Sequence, residues 1–351
     1  MQENEKKHPK HLLIIRLSAL GDVAMTVPII LALRQQYPTL KITVVSKAFQ
    51  SSIFKDIPEV NFFPVDFDEY KNGVFGLNEL YKDLSKFGID AYADLHNVLR
   101  TKVINLFFKL DTINTAAISK GRSERKELTA LKEKQISPIK SIFERHADVC
   151  KKLNLPIDLS TINMLDKQAL SKKTKQLTGE KKSYWIGVAP FAAYRTKVYD
   201  LESMKQVIKS LVKADRKVLL FGGGKTEIDK LEILAADSDN SINMAGKLSF
   251  DEELALISNL DLMLSMDSGN GHLASMYGVP VITMWGNTHP YAGFVPFRQP
   301  LENSLIPDLT KFPFIPTSVY GNKVIPGYED CMKTIPPASV ISKINSVLSN
   351  L

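Results

Sequence analysis

At 351 residues the chain is longer than one typical domain, and at roughly 150 residues per domain it divides into two. Hydrophobic residues at 44% and charged residues at 24% exclude a disordered or collagen-like chain, and no apolar run approaches the roughly 18 residues of a membrane-spanning helix. The net charge of +7 favours an anionic partner, whether nucleic acid, a phosphorylated metabolite or an anionic membrane leaflet, and charge alone does not choose among them.

The chain opens MQENEKKHPKH, and the four apolar residues that follow run straight into Arg16. That is too short for the core of a secretory signal, so the expected location is the cytoplasm. Apolar runs at 11–16, 41–46, 61–65 and 91–95 are predicted strands. Between them, 25–36, 77–87 and 101–109 carry apolar residues at three- and four-residue spacing and are predicted helices. The runs are nearly continuous in apolar character, as parallel strands covered on both faces require. Cys150 and Cys331 are the two cysteines, with no CxxC spacing and no set of histidines placed to complete a zinc site, which argues against a disulfide or structural zinc. A polar stretch at 151–182 interrupts the alternation, and the domain boundary is placed inside it, after residue 165.

The second half restarts the pattern, with strands expected at 184–189, 217–221, 241–244, 261–266 and 279–285. Helices are expected at 201–214, 226–236, 249–258 and 271–277. The tail is rich in Pro, Gly and aromatics from 290 to 337, and 338–348 closes the chain as an amphipathic helix. The expectation is an α/β protein of two Rossmann-like, doubly wound parallel-sheet domains, 1–165 and 166–335, with residues 336–351 as a final helix.

Ligands of open α/β sheets bind beyond the carboxyl ends of the strands, so those turns carry the chemistry. In MDSGNGHLASMYGVPVITMWG, residues 266–286, a strand leads through Asp267, Ser268, Gly269, Asn270 and Gly271 into a helix near His272. Two glycines permit close backbone approach, and the helix start offers N–H donors to a diphosphate. Asp267 could accept from sugar hydroxyls and His272 could donate to a phosphate oxygen, although an Asp/Ser N-cap with a structural histidine would leave the same pattern. In RLSALGDVAMTVP, residues 16–28, a short loop holds Ser18, Gly21 and Asp22. Asp22 is a candidate general base or a plain N-cap. A helix N-terminus lowers a carboxylate's proton affinity, which is tolerable where the proton leaves late in the reaction.

In APFAAYRTKVYD, residues 189–200, Arg195 or Lys197 could neutralise a diphosphate without metal, or both could belong to a solvated basic loop. FGGGKTE, residues 221–227, fails as a P-loop because the first glycine would fall at Leu219, which leaves a glycine turn with Glu227 available to a ribose. No GxGxxG opens either half, which disfavours a nicotinamide dehydrogenase. The pairs Asp66/Asp68 and Asp237/Asp239 could hold a divalent cation, but such pairs are common on surfaces. His96, in ADLHNVLRT, could be a second base, an acceptor contact or a structural histidine. Arg100, Lys102, Lys120, Arg122, Arg125 and Lys126 form a loose basic group without interleaved aromatics, which fits an acidic glycan or lipid headgroup better than nucleic acid.

Taken in order, RLSALGDVAMTVP, DLHNVLRT, the run from NMAGKLSF through MDSGNGHLASMYGVPVITMWG, and Cys331 resemble glycosyltransferase family 9, the ADP-heptose:lipopolysaccharide heptosyltransferases. The resemblance covers nearly the whole chain. It implies the GT-B fold, two Rossmann-like domains facing across a cleft, with a final helix packing back on the first. It also implies heptose transfer from ADP-heptose to an inner-core acceptor, with inversion and no bound metal or other cofactor. By position, Asp22 resembles the family's general base, with Ser18 and Gly21 beside the sugar and diphosphate. Lys197 resembles its phosphate-neutralising lysine, and Asp267, Ser268, Gly269 and His272 its donor-binding turn. Leu248 resembles the apolar residue under the adenine, and Glu227 the ribose contact. Ala192 and Ala193 stand where the family often has hydroxyl residues, and Tyr199 where it often has tryptophan.

The implied partners are a nucleotide-sugar donor and a lipid-anchored acidic glycan, with His96, Arg100, Arg122 and Arg125 as acceptor-binding candidates in the first domain. Peripheral contact with the cytoplasmic face of the inner membrane follows, and no nucleic acid. The rival readings are a metal-dependent glycosyltransferase using Asp66 and Asp68, and a binding protein that keeps the cleft without catalysis.

Overall fold

A computed structural model describes residues 8–132, 134 and 136–351. The chain forms two compact units, one of residues up to Lys120 together with Ile142–Leu165, the other of Gly121–Ser141 together with Asp166–Leu351.

In the first unit β1 (His11–Ile15) leads through α1 (Leu20–Ala24) and α2 (Val27–Gln36) to β2 (Lys41–Ser46) and β3 (Val60–Pro64). Then follow α3 (Val74–Ser85), β4 (Ala91–Asp94), α4 (Leu99–Leu110) and β5 (Asn114–Ala117). The helix expected at 25–36 starts two residues later, at Val27, because Pro28 has no N–H to donate and is tolerated only in a helix's first turn; the short α1 before it was not expected. The strands pair in parallel in the order β3-β2-β1-β4-β5. Every residue of β1 is buried. Its side chains alternate between faces: Leu13 and Ile15 join Val45 and Tyr92 against Leu77, Leu80 and Leu84 of α3 and Ile104 and Phe108 of α4. The Tyr92 and Phe108 rings stack 5.0 Å apart. β5 escapes a periodicity reading because its NTAA sequence has no apolar run; pairing with β4 makes it a strand.

Past α5 (Arg122–Leu128), the chain returns to the first unit as α6 (Ile142–Lys152). On α6 His146 is fully buried, and its pKa is pushed down to about 3, chiefly by that burial and secondarily by the Arg16 charge, with Asp22 and the Met25 backbone opposing.

The second unit runs α7 (Lys172–Thr178), β6 (Trp185–Ala189), α8 (Leu201–Lys213), β7 (Lys217–Leu220), α9 (Lys225–Ala235), β8 (Ser241–Asn243) and α10 (Phe250–Ser258). It continues with β9 (Leu262–Met266), α11 (Gly269–Ser275), β10 (Val281–Met284), β11 (Ser304–Leu305) and α12 (Pro337–Leu348). Its sheet has the order β11-β10-β9-β6-β7-β8 and is also parallel. Numbered from its own first strand this is the same order as the first sheet with one strand added, and it is the order of nucleotide-binding doubly wound sheets. Local signals set the helix starts: Asp200 accepts the Ser203 N–H at 2.9 Å to open α8, and Ser249 with Glu252 forms a capping box on α10.

Two expectations are corrected. The closing helix does not join the first unit: Val340, Ile344 and Leu348 of α12 share a core with Met204, Val207, Ile208 and Leu211 of α8. Spaced four residues apart, those three form one apolar stripe that α8 covers. Residues 121–141, placed before in the first domain, belong to the second unit. There the Lys134 ammonium donates to the carbonyls of Phe314 and Pro316, both at 2.7 Å, and the Ile139 N–H to that of Tyr291 at 3.0 Å.

Ile344→Ala should therefore cost the second unit about 2–5 kcal/mol of stability, read as a lower urea midpoint with α12 still in place. His146 yields a second expectation. Its folded pKa lies below the ordinary 6.5, so the unfolded chain takes the proton first. The stability tied to its neutral form is whole above pH 6.5 and is lost as pH falls towards 3. Urea titrations between pH 7 and 4 should show this fall, and His146→Leu should flatten it.

Candidate active site

In a sheet of this order the chains leaving the central pair of strands diverge to opposite faces and leave a crevice above their carboxyl ends. In the first unit that pair is β1 and β4. Arg16, the residue after β1, donates one guanidinium N–H to the Leu95 carbonyl after β4 at 2.7 Å and pairs through its other terminal nitrogen with Asp22 at 2.6 Å. Asp22 is not the N-cap. It occupies the third position of α1, and the same oxygen, Oδ2, accepts the Ala19 N–H at 2.9 Å. Its side chain keeps 29% of its surface exposed, so the carboxylate is held and still reachable. Ser18 and Gly21 lie half-buried in the same turn.

His96 stands at the β4 edge of the crevice. Burial, then the charges of Arg16 and Lys120, push its pKa down to about 4, with Asp22 opposing. At neutral pH the ring is therefore uncharged. Its backbone is set by Asp94, a residue the sequence reading quoted but did not single out: Oδ1 of this buried carboxylate accepts the N–H groups of His96 at 3.0 Å and Asn97 at 2.6 Å. An Asp closing a strand and binding backbone two and three residues on is a local turn signal that the sequence does contain. Arg100, exposed in the first turn of α4, lies 4.5 Å over the Phe67 ring. Arg122 and Arg125 are not here. They lie on α5 in the second unit, where Arg125 donates to the Tyr320 hydroxyl at 2.6 Å and rests over the Phe294 and Tyr320 rings.

In the second unit the central pair is β6 and β9. Lys197, in the turn Arg195–Lys197 after β6, reaches Asp267 after β9 at 3.3 Å, and both side chains are only 11% exposed. The same Asp267 oxygen accepts the Thr288 hydroxyl at 2.9 Å. Two further glycines determine where the lysine stands, one at the end of the 266–286 segment and one beyond it. A Cβ on Gly286 would fall 1.8 Å from the Thr196 carbonyl oxygen, and one on Gly321, at φ +82°, 2.7 Å from the Lys197 Cγ. Neither glycine has a sequence signal, because its reason is a segment far along the chain.

Ser268 is the N-cap of α11 by position, but its hydroxyl meets that of Ser265 at 3.1 Å and does not cap. Gly269 opens the helix and His272 is buried one turn in. Gly271, expected to admit a ligand's approach, packs instead: its Cβ would press Val281 at 3.3 Å. Glu227 sits in the first turn of α9 and accepts the Gly223 N–H at 2.8 Å, while Leu248 is half-buried in the turn before α10. A cavity of about 660 Å³ opens at this edge, with Phe191, Ala192, Arg195 and Glu227 in its wall. Lys197 and Asp267 lie outside that wall.

The acid pairs have other work. Asp66 accepts the N–H of Asp68 at 2.8 Å, and Asp237 is bound by Lys205 at 3.2 Å and Lys209 at 2.9 Å. Among the described residues no three His, Cys, Asp or Glu side chains gather as a metal site.

Residues 80–305 match the sequence pattern of glycosyltransferase family 9 (heptosyltransferase). A lipopolysaccharide core heptosyltransferase of Haemophilus influenzae, OpsX, is 25% identical over 80% of this chain and 80% of its own. The family 9 glycosyl transferase of Veillonella parvula superposes with a TM-score of 0.74 at 18% identity, covering 100% of this chain and 99% of its own. The Escherichia coli ADP-heptose LPS heptosyltransferase II does so with 0.66 at 20% identity, covering 97% and 99%. The fold is thus the GT-B class of two Rossmann-like units. With the family pattern spanning well over half of its length, the chain belongs to glycosyltransferase family 9, the heptosyltransferases.

Proposed function

We propose that this glycosyltransferase moves a heptose from ADP-heptose to the inner core of a lipid-anchored lipopolysaccharide acceptor, by one inverting displacement without a metal. The observation that carries the proposal is the matched construction of the two switch points: a reachable carboxylate, Asp22, in one unit and a nearly buried lysine, Lys197, in the other. The names of the relatives, a lipopolysaccharide core heptosyltransferase and an ADP-heptose LPS heptosyltransferase, support the donor and the acceptor.

In this reading the second unit holds the nucleotide sugar. Lys197 and the N–H groups opening α11 at Gly269 face the diphosphate, and Asp267, Ser268 and His272 line its sugar end. Glu227 accepts from the ribose, and Leu248 lies under the adenine. The acceptor hydroxyl attacks the anomeric carbon opposite the leaving group. Its proton passes to Asp22, the bond from that carbon to the diphosphate oxygen breaks, and ADP leaves with the charge that Lys197 offsets. Ser18 and Gly21 shape the turn that presents Asp22. Arg16 orients the carboxylate, and His96, neutral at working pH, contacts the acceptor beside Arg100. The acceptor would be reached from the cytoplasmic face of the inner membrane; no helix of the described residues is long and apolar enough to cross one.

ADP should raise the melting temperature by several degrees at saturating concentration, where GDP, UDP and dTDP do not. Lys197→Ala should remove most of that shift and weaken donor binding by about 1.5–3 kcal/mol, the range for a hydrogen bond to a charged group. Indifference to all four nucleotides would overturn the donor assignment.

Asp22→Asn tests the base. The amide keeps the size and much of the hydrogen bonding, so melting and the ADP shift should persist while single-turnover transfer falls roughly 10²- to 10⁴-fold. Transfer near the wild-type rate by a normally folded variant would take Asp22 out of the mechanism.

A further inference from the structure

α4 carries a face that its own unit does not use. Its inner side places Ile104 and Phe108 in the core, while Leu99, Leu106 and Leu110 are 79%, 54% and 70% exposed. At roughly 100° per residue, positions separated by seven and eleven residues fall within about 40° of one another, so the three leucines form one stripe about 16 Å long. Lys102 and Lys109, both exposed, flank it along one side. α3 lies beside α4, and its first turn adds Val74 and Phe75, 59% and 80% exposed. Both helices start from the carboxyl edge of the sheet, the edge that holds Asp22 and His96. The nearest carboxylate on α4's own line, Asp111, follows its last residue and is engaged by the Tyr81 hydroxyl.

Scattered exposed leucines need no explanation, but three on one stripe with lysines alongside form the composition of a helix that lies in a membrane interface. The flank also separates lipid from protein as the occupant. Protein interfaces are depleted of lysine and built around aromatic residues and arginine, whereas lysine beside leucine complements anionic headgroups over acyl chains.

We propose that the outer face of α4, extended by Val74 and Phe75, seats the first unit on an anionic phospholipid leaflet. The role in acceptor capture rests on the proposed lipid-anchored substrate; the surface chemistry stands without it. Docked this way, the edge bearing Asp22 lies beside the headgroups, where an acceptor sugar held by its lipid would be presented.

The test is co-sedimentation of the full chain with phosphatidylcholine vesicles made with and without phosphatidylglycerol. Binding should require phosphatidylglycerol and fall more than about tenfold in Leu106→Glu/Leu110→Glu and in Lys102→Glu/Lys109→Glu. Melting temperature and the ADP-induced shift should stay unchanged in both variants. Equal sedimentation of wild type and variants, no wild-type binding to the anionic vesicles, or a dimer in solution that the leucine variant splits would each overturn the proposal. ADP stabilisation without vesicle binding would sink this inference alone, and vesicle binding without ADP stabilisation would sink the donor assignment alone.

Discussion

Two neighbouring parallel strands whose following segments depart to opposite faces cannot fill the space above their own ends, and the candidate site residues Asp22, Lys197 and Asp267 collect at that space in the two units. In each, a cation from the loop after the first strand reaches an oxygen on the loop after the fourth: Arg16 to the Leu95 carbonyl, Lys197 to the Asp267 carboxylate. These bridges hold together segments that the diverging connections after neighbouring strands would part. They also place one charged group of each sign at the crevice, which an uncharged turn would not do.

A charge held away from water must be offset, and the two bridges differ in how this is done. Arg16 keeps planar contact with a carbonyl and a carboxylate, and Asp22 remains open to solvent at its edge. Lys197 is enclosed more completely, its stem against Gly321 and its ammonium on an Asp267 that Thr288 also donates to. An enclosed ammonium retains more of its field, because little water screens it. A diphosphate arriving beside it would meet a cation whose position is already determined, so little ordering cost would remain to be met. His96 is treated the opposite way: burial, then the neighbouring positive charges of Arg16 and Lys120, keep its ring neutral.

The placement of Asp22, Lys197, Asp267 and Glu227 was legible in the chain because each sits within a few residues of a strand end or a helix start, and turn geometry there is local. So were β1, β2, β6 and β9, whose apolar runs are buried on both faces. What was not legible has partners far away in sequence. Arg16 meets Leu95 across 79 positions, and Gly286 and Gly321 matter only through Thr196 and Lys197. His146 reads as one polar residue on an amphipathic helix until packing encloses it. The displacement of Arg122 and Arg125 to the second unit has the same origin, since Lys134 and Ile139 find their acceptors at 291–316.

By itself the sequence determined the class of fold, two parallel α/β halves with reactive residues in their strand-end loops, because strand and helix periodicity, caps and glycine turns are encoded within a dozen residues. Only tertiary structure decided which unit claims residues 121–141, that α12 lies on α8, and which cation meets which carboxylate. Those outcomes depend on burial and on the direction of single side chains across the sheet order. Neither quantity exists until the strands have paired.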